Sequence, residues 1–400
     1  MKKLWQKNKN QKLDPIIEAF ETKDDLLLDQ KLVKYDVSGS IAHAKMLNKI
    51  GILSNKELDL IKKGLNEILK LNAKGKFNLE FGDEDIHTKI ENYLTQKYGE
   101  VGKKIHTGRS RNDQVLTAIR LFSKDKLNQI EKELLVLTKE FNLFVKKYGE
   151  IKMPGYTHMQ KAMPSSIAIW AESFEKSLND DLIMLKTAQK INDQSPLGSA
   201  AGYGVSLPLD KNYTAKLLGF EKVQNNPLYC QNSKGKIESL ILSSLIQILL
   251  TINKFSSDVL LFTTSEFDFF EVCDKITSGS SIMPQKKNVD IAELLRSKVH
   301  LVLGNYTQLV SLSSNLVSGY NRDLQDIKKP LFDSLETTLD SIKVAKILLN
   351  SLTPNKEKLK NALTSEIFAT EKALELVKKG IPFREAYQKV GSEIMKKKPA

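Results

Sequence analysis

The sequence predicts an all-α chain organised around a central bundle of long helices. Five long stretches carry apolar residues at helical spacing and almost no proline or glycine. Strand signals are sparse. The flanking regions carry shorter periodic stretches broken by loop-forming residues.

The first region, residues 1–106, reads as short helices separated by loops at Gly39-Ser40, Gly51, Gly75 and Gly82. Short extended pieces are expected near Lys103–Ile105 and Lys152–Met153. The first long helix is expected over Asp113–Tyr148. The second, Ser165–Gln194, contains Ile167, Ile169, Trp170, Phe174, Leu178, Leu182 and Leu185. The third, Ile237–Phe262, is apolar nearly all round, which puts it in the middle of a bundle. The fourth, Asp290–Ser318, is interrupted by Gly304. The fifth, Arg322–Asn350, contains Pro330, which is expected to kink it. After Leu352-Thr353-Pro354 a new short-helix region begins, punctuated by Gly380-Ile381-Pro382. The expected division is therefore a helical head (1–106), a long-helix bundle (107–352) and a short helical tail (353–400). Helices of this length imply an elongated bundle.

The 400-residue chain has a formal net charge of +13, which suits either nucleic acid or an anionic substrate. The lysines are spread over the whole length at polar helical positions, as in Lys124, Lys126, Lys132 and Lys139. That pattern reads as a solvated face. No aromatic–basic interleaving accompanies it, so no nucleic-acid partner is expected. Lys396-Lys397-Lys398 reads as a frayed tail. The Met1-Lys2-Lys3-Leu4-Trp5-Gln6-Lys7 segment has no apolar stretch after it and reads as no secretory signal. The most apolar uncharged run, Leu240 to Asn253, is short for a membrane span, so no membrane partner is expected. Cys230 and Cys273 have no metal-ligand spacing and read as reduced thiols of a cytoplasmic protein.

Arginine occurs at only six positions, 109, 111, 120, 296, 322 and 384. Its rigid fork binds carboxylates bidentately, which lysine cannot imitate. Arg109, Arg111 and Arg322 fall inside polar motifs, which points to a dicarboxylate-like ligand. Structural ion pairs are the competing account.

Five strings carry the candidate chemistry. Gly279-Ser280-Ser281-Ile282-Met283-Pro284-Gln285-Lys286-Lys287-Asn288 precedes the fourth long helix, with Asn288 placed as its cap. Backbone N–H groups, a helix start and lysine charge suit an anion. A serine hydroxyl there can act as a base if its oxyanion is stabilised. A surface loop with a good cap would look the same. His106-Thr107-Gly108-Arg109-Ser110-Arg111-Asn112-Asp113-Gln114 clusters donors at the start of the first long helix, a sound place to bind a carboxylate. A capping segment using Asn112 or Asp113 accounts for it equally. Pro154-Gly155-Tyr156-Thr157-His158-Met159-Gln160 forms a turn before the second long helix, and a lone histidine is more often packed or exposed than catalytic. Gly319-Tyr320-Asn321-Arg322-Asp323-Leu324-Gln325-Asp326-Ile327-Lys328 opens the fifth helix. Its Tyr320, Gln325 and Lys328 fit one polar patch or a solvated first turn. Gln194 to Gly204 is a flexible small-residue loop. Taken alone, Gly39-Ser40-Ile41-Ala42-His43 and Asp85-Ile86-His87 read as ordinary loop residues.

Together these strings resemble the fumarase/aspartase superfamily. Gln285-Lys286-Lys287-Asn288 and the Gly319–Lys328 string resemble its argininosuccinate lyase branch, and the likeness covers essentially the whole chain. The resemblance implies a three-domain all-α fold, a tetramer with a twenty-helix core, pockets shared among three subunits, and no cofactor or metal. It implies reversible β-elimination of argininosuccinate to arginine and fumarate, a step of arginine biosynthesis. Ser280 would be the base. Lys286 and Asn288 would stabilise the carbanion's carboxylate. His158, paired with Glu293, would move a proton. Ser110, Arg111, Asn112 and Thr157 would hold the succinyl carboxylates. Tyr320, Gln325 and Lys328 would complete the pocket, with Ser40 and His87 also touching substrate. A sibling fumarate-releasing lyase (adenylosuccinate lyase or aspartase) and a non-enzymatic crystallin-like protein share the same fold and remain as alternatives.

The chain departs from the family pattern in places. Val289 stands where the family has proline, and Ala118 where relatives often have aspartate. Asp326-Ile327 replaces an acidic pair. Gln231-Asn232-Ser233-Lys234-Gly235-Lys236 replaces an Asp-Arg-Asp pattern, with Lys234 expected to supply the arginine's charge without its fork. The chain stops soon after Gly380-Ile381-Pro382-Phe383-Arg384-Glu385-Ala386-Tyr387, where relatives usually continue.

Overall fold

The structure, a computed structural model, describes residues 14–80 and 82–395. The Met1–Lys7 and Lys396–Lys398 readings lie outside the described residues. The fold is all-α. Five long helices span Arg111–Tyr148, Ile167–Asn192, Lys236–Phe262, Asp290–Leu312 and Lys328–Asn350. Among the described residues, strands form only two-stranded pieces.

Two compact units are present. The first comprises the described residues up to Ile130, with Ile183–Ile246 and His300–Thr337. The second comprises Glu131–Leu182, Gln247–Val299 and the described residues from Thr338. The chain boundaries between them each fall inside a long helix.

In the first unit, helices Val33–Lys49, Asn55–Ala73 and Ile86–Tyr98 enclose a core that includes Val37, Leu47, Ile61, Leu65, Ile90 and Leu94. Ser54 and Glu57 form a reciprocal capping box that starts the second of these helices. Gly102 is needed for close approach, because a Cβ there would lie 2.4 Å from the Leu94 carbonyl carbon. The second unit is packed around aromatic rings. Trp170 stacks near Phe270, with centroids 5.2 Å apart, and Phe141 meets Phe255 edge-on at 5.3 Å. The Trp170 indole donates to Asp258 at 2.9 Å, so its polar edge is satisfied.

Several expectations change. Gly39–His43 lies inside the helix Val33–Lys49, not in a loop. Lys103–Ile105 is helical, at the junction of Glu100–Lys103 and the 3-10 turn Lys104–His106. Lys152–Thr157 pairs with Gln160–Ser166 as a complete hairpin, with His158 and Met159 at φ 52° and 61° in its turn. Pro154 and Pro164 obscured it, yet a two-stranded ribbon has open edges where a missing N–H is harmless. Gly304 does not interrupt its helix. Pro330 sits in the first turn of Lys328–Asn350, where no intrahelical partner is lost, so it does not break the helix. The preceding Arg322–Gln325 is a separate 3-10 turn.

Lys236–Phe262 is the apolar helix anticipated. The stretch Pro227–Phe262 that contains it is long and apolar enough to cross a membrane by length and composition alone, and 61% of its most apolar window is buried inside the protein, as in a core helix.

Candidate active site

In the first unit the helix Arg111–Tyr148 begins at a tightly held corner. Ser110 is its cap, in place of Asn112 or Asp113: the Ser110 hydroxyl accepts from the Asn112 N–H at 3.3 Å. The Asp113 carboxylate accepts from the Ser110 N–H at 3.0 Å. Its second oxygen accepts from the Gly198 and Ala200 N–H groups at 3.0 and 2.9 Å. The small-residue loop is thus pinned to the helix start, and Ser195 to Ala200 are buried.

This corner forms one wall of a cavity of about 540 Å³. Ser110, Arg111 and Asn112 line that wall, and Tyr320, Gln325 and Lys328 line another. Six residues singled out from two strings about 200 positions apart therefore converge. Glu21, Asp25 and Asp29, Glu84 and Asp85, and the cations Arg109, Lys234 and Arg322 also line it. Asp25 and Asp29 escaped the sequence reading. Their i, i+4 spacing was the available signal, since it puts both on one helical face.

The charges are mostly paired. Arg111 donates to Glu84 at 2.6 Å and to Asp85 at 3.2 Å. Lys328, 2% exposed, lies 2.5 Å from Asp25 and 2.7 Å from Asp29. Burial disfavours its charge, but the two carboxylates outweigh that and hold Lys328 above the usual lysine range. Burial, with Asp29 beside it, raises the Asp25 carboxyl despite Lys328. Gln325 donates to the Glu21 carbonyl at 2.8 Å.

Ser40 and His87 lie behind this cavity and do not line it. Arg109 donates to the Ser40 hydroxyl at 2.9 Å, and that hydroxyl donates to Asp36. The His87 imidazole pairs with Asp36, both fully enclosed. Burial works against a charged imidazole, but Asp36, Asp85 and Asp29 outweigh it and push His87 up to about 9.

The second unit carries the remaining candidates. Ser278–Gly279 pairs with Lys287–Asn288, so the Ser280–Lys286 segment is a loop closed by a short antiparallel ladder. Asn288 belongs to that ladder rather than capping the helix, which starts at Asp290. Ser278 hydrogen-bonds Asp290. The Ser280 hydroxyl oxygen accepts from the Ile282 and Met283 N–H groups at 3.3 and 3.1 Å. Lys286 and Glu293 are exposed, as are Thr157 and His158 at the hairpin tip. Among the described residues no hydrogen bond or ion pair joins His158 to Glu293. Nor is any group of three His, Cys, Asp or Glu side chains placed to hold a metal ion there.

Residues 7–304 match the profile of the Lyase family. Over 396 residues the chain is 46% identical to the argininosuccinate lyase of Thermotoga neapolitana, covering 99% of both. The chain belongs to the argininosuccinate lyase family. The Phocaeicola vulgatus argininosuccinate lyase is 40% identical, with 98% of this chain and 87% of that protein aligned. Among solved structures, EDDS lyase in complex with formate superposes with a TM-score of 0.79 at 24% identity, over 96% of this chain and 76% of that one. The fumarate lyase:delta crystallin of Brucella melitensis in native form gives 0.80 at 18% identity, over 96% and 90%. These likenesses establish the fold and agree with the all-α superfamily expectation. The argininosuccinate lyase relatives support an enzyme, a carbon–nitrogen lyase.

Proposed function

We propose that this chain is a cytoplasmic argininosuccinate lyase, which splits argininosuccinate reversibly into arginine and fumarate for arginine biosynthesis. The observation that carries this reading is the convergence of Ser110, Arg111 and Asn112 with Tyr320, Gln325 and Lys328 on one cavity. A succinyl group needs donors and a guanidinium fork for its carboxylates. Ser110, Arg111, Asn112 and Thr157 fill that role. Tyr320, Gln325 and Lys328 hold the rest of the substrate.

The reaction removes a weakly acidic proton next to a carboxylate and expels the guanidinium nitrogen. Charge accumulates on that carboxylate, so preorganised positive charge is the main requirement. Lys286 and Asn288 supply it. Ser280 is the base, and the two N–H groups directed at its oxygen support an oxyanion there. His158 with Glu293 passes a proton to the departing nitrogen. No cofactor is needed for these steps.

The chain works as a homotetramer whose pockets combine segments from several copies. Exposed apolar side chains on the long helices support such assembly: Ile169, Ile183, Leu294 and Leu301 are each more than half exposed.

The test is a Ser280→Ala variant beside the parent, with fumarate release and molecular mass measured for both. Activity should fall by about 10²–10⁴-fold with the tetramer intact. Release of fumarate from adenylosuccinate but not argininosuccinate would reassign the chain to a sibling lyase. A tetramer without lyase activity would favour the crystallin-like alternative.

A further inference from the structure

We infer that Lys234 binds the α-carboxylate of the arginine half of the substrate and so sets selectivity for an intact amino-acid end. The inference rests on the reading above and adds a residue that the resemblance does not assign to the substrate.

Lys234 is 6% exposed and lines the cavity. Each carboxylate lining that cavity is already in an ion pair: Glu21 with Arg322, Asp25 and Asp29 with Lys328, Glu84 and Asp85 with Arg111. Lys234 is not. Among the described residues no hydrogen bond or ion pair reaches its ammonium, and its neighbour is the Tyr320 ring, 5.5 Å away. A cation withdrawn from water needs a counter-charge. The carboxylates lining the cavity are bonded to other cations, and the nearby buried Glu238 is hydrogen-bonded to the Gly235 N–H. An anion entering the cavity would therefore supply the direct partner that Lys234 lacks.

The surroundings say which anion. Asp25, Asp29, Lys328 and Lys234 lie within electrostatic reach of one another. Asp25 and Asp29 share the single Lys328 cation, so the pair keeps a negative excess that suits the ammonium of an α-amino acid terminus, while its carboxylate docks on Lys234. A purely anionic fumarate half would meet the same aspartates unfavourably. The backbone at Lys234 is also fixed. Gly235 holds φ +86°, its N–H donates to the buried Glu238 carboxylate at 2.6 Å, and a Cβ there would lie 2.1 Å from the Ser313 hydroxyl. The turn that presents Lys234 therefore has little freedom.

The test compares the parent, Lys234→Met and Lys234→Arg in the synthetic direction. Arginine is set against agmatine, which lacks the α-carboxylate, each with fumarate. In Lys234→Met the KM for arginine should rise by about 10- to 100-fold, while the KM values for agmatine and fumarate stay unchanged. Lys234→Arg should restore the preference for arginine. An unchanged arginine-to-agmatine ratio in a folded, active Lys234→Met would overturn the inference, as would a rise in the fumarate KM instead. A parent that turns over no argininosuccinate would sink the functional reading itself, and this inference with it.

Discussion

The ammonium of Lys328 lies 2.7 Å from a carboxylate oxygen of Asp29, and both side chains are almost wholly buried. The two residues come from helices 299 positions apart in sequence. A lysine placed to meet substrate is thus also a clamp between the start of one long helix and the end of the helix Pro15–Gln30.

Removing one partner should leave a buried charge without compensation. Lys328→Met or Asp29→Asn is expected to lower stability by about 3–5 kcal/mol. The double variant should lose clearly less than the sum of the two. Urea midpoints across that mutant cycle measure the coupling, and strict additivity would rule the clamp out.

His87 and Asp36 predict a pH dependence. The folded-state imidazole is pushed from 6.5 up to about 9 by Asp36, Asp85 and Asp29 against its burial. A raised histidine stabilises fully below the unfolded value and loses that contribution as pH rises through the folded one. Stability should therefore decline between pH 6.5 and about 9. Asp36→Asn should flatten that slope, as read from melting temperatures across the range. An unchanged slope would show that another group titrates.

Lys234 gives a binding signature. Its burial and the nearby Lys328 push it down to about 8, against Glu238, Asp25 and Asp29. Tyr320 also faces it. A carboxylate docking on Lys234 favours its charged form, so arginine binding near pH 8 should take up about half a proton per site. Calorimetric titrations in buffers of different ionisation enthalpy measure this. Lys234→Arg should abolish the uptake, because guanidinium stays charged at that pH.

Much of this was legible in the chain. The long helices followed from apolar spacing, because Leu, Ile and Phe recur on one face over many turns. The polar strings holding Ser110, Arg111, Tyr320 and Lys328 interrupt otherwise periodic sequence, which fits a cap or a solvated turn as well as a site. The substrate roles of these residues came from the family resemblance. The misses share a cause. Asp25 and Asp29 look like any solvated helical face until Lys328 is placed beside them. The hairpin around His158 was masked by prolines that a ribbon edge tolerates. Asn288 looks like a cap, but its backbone is committed to Ser278. Tertiary pairing decides each of these, and local preference does not contain it.

The Asp113 carboxylate holds the Ser110 N–H with one oxygen and the Gly198 and Ala200 N–H groups with the other. Two distant stretches of chain are therefore mechanically one piece. Exchanges at 198 or 200 that shift the backbone will be transmitted to the serine facing the cavity, although neither position lines it. Variation in activity between otherwise similar chains can arise at such a relay, out of sight of any comparison restricted to contact residues.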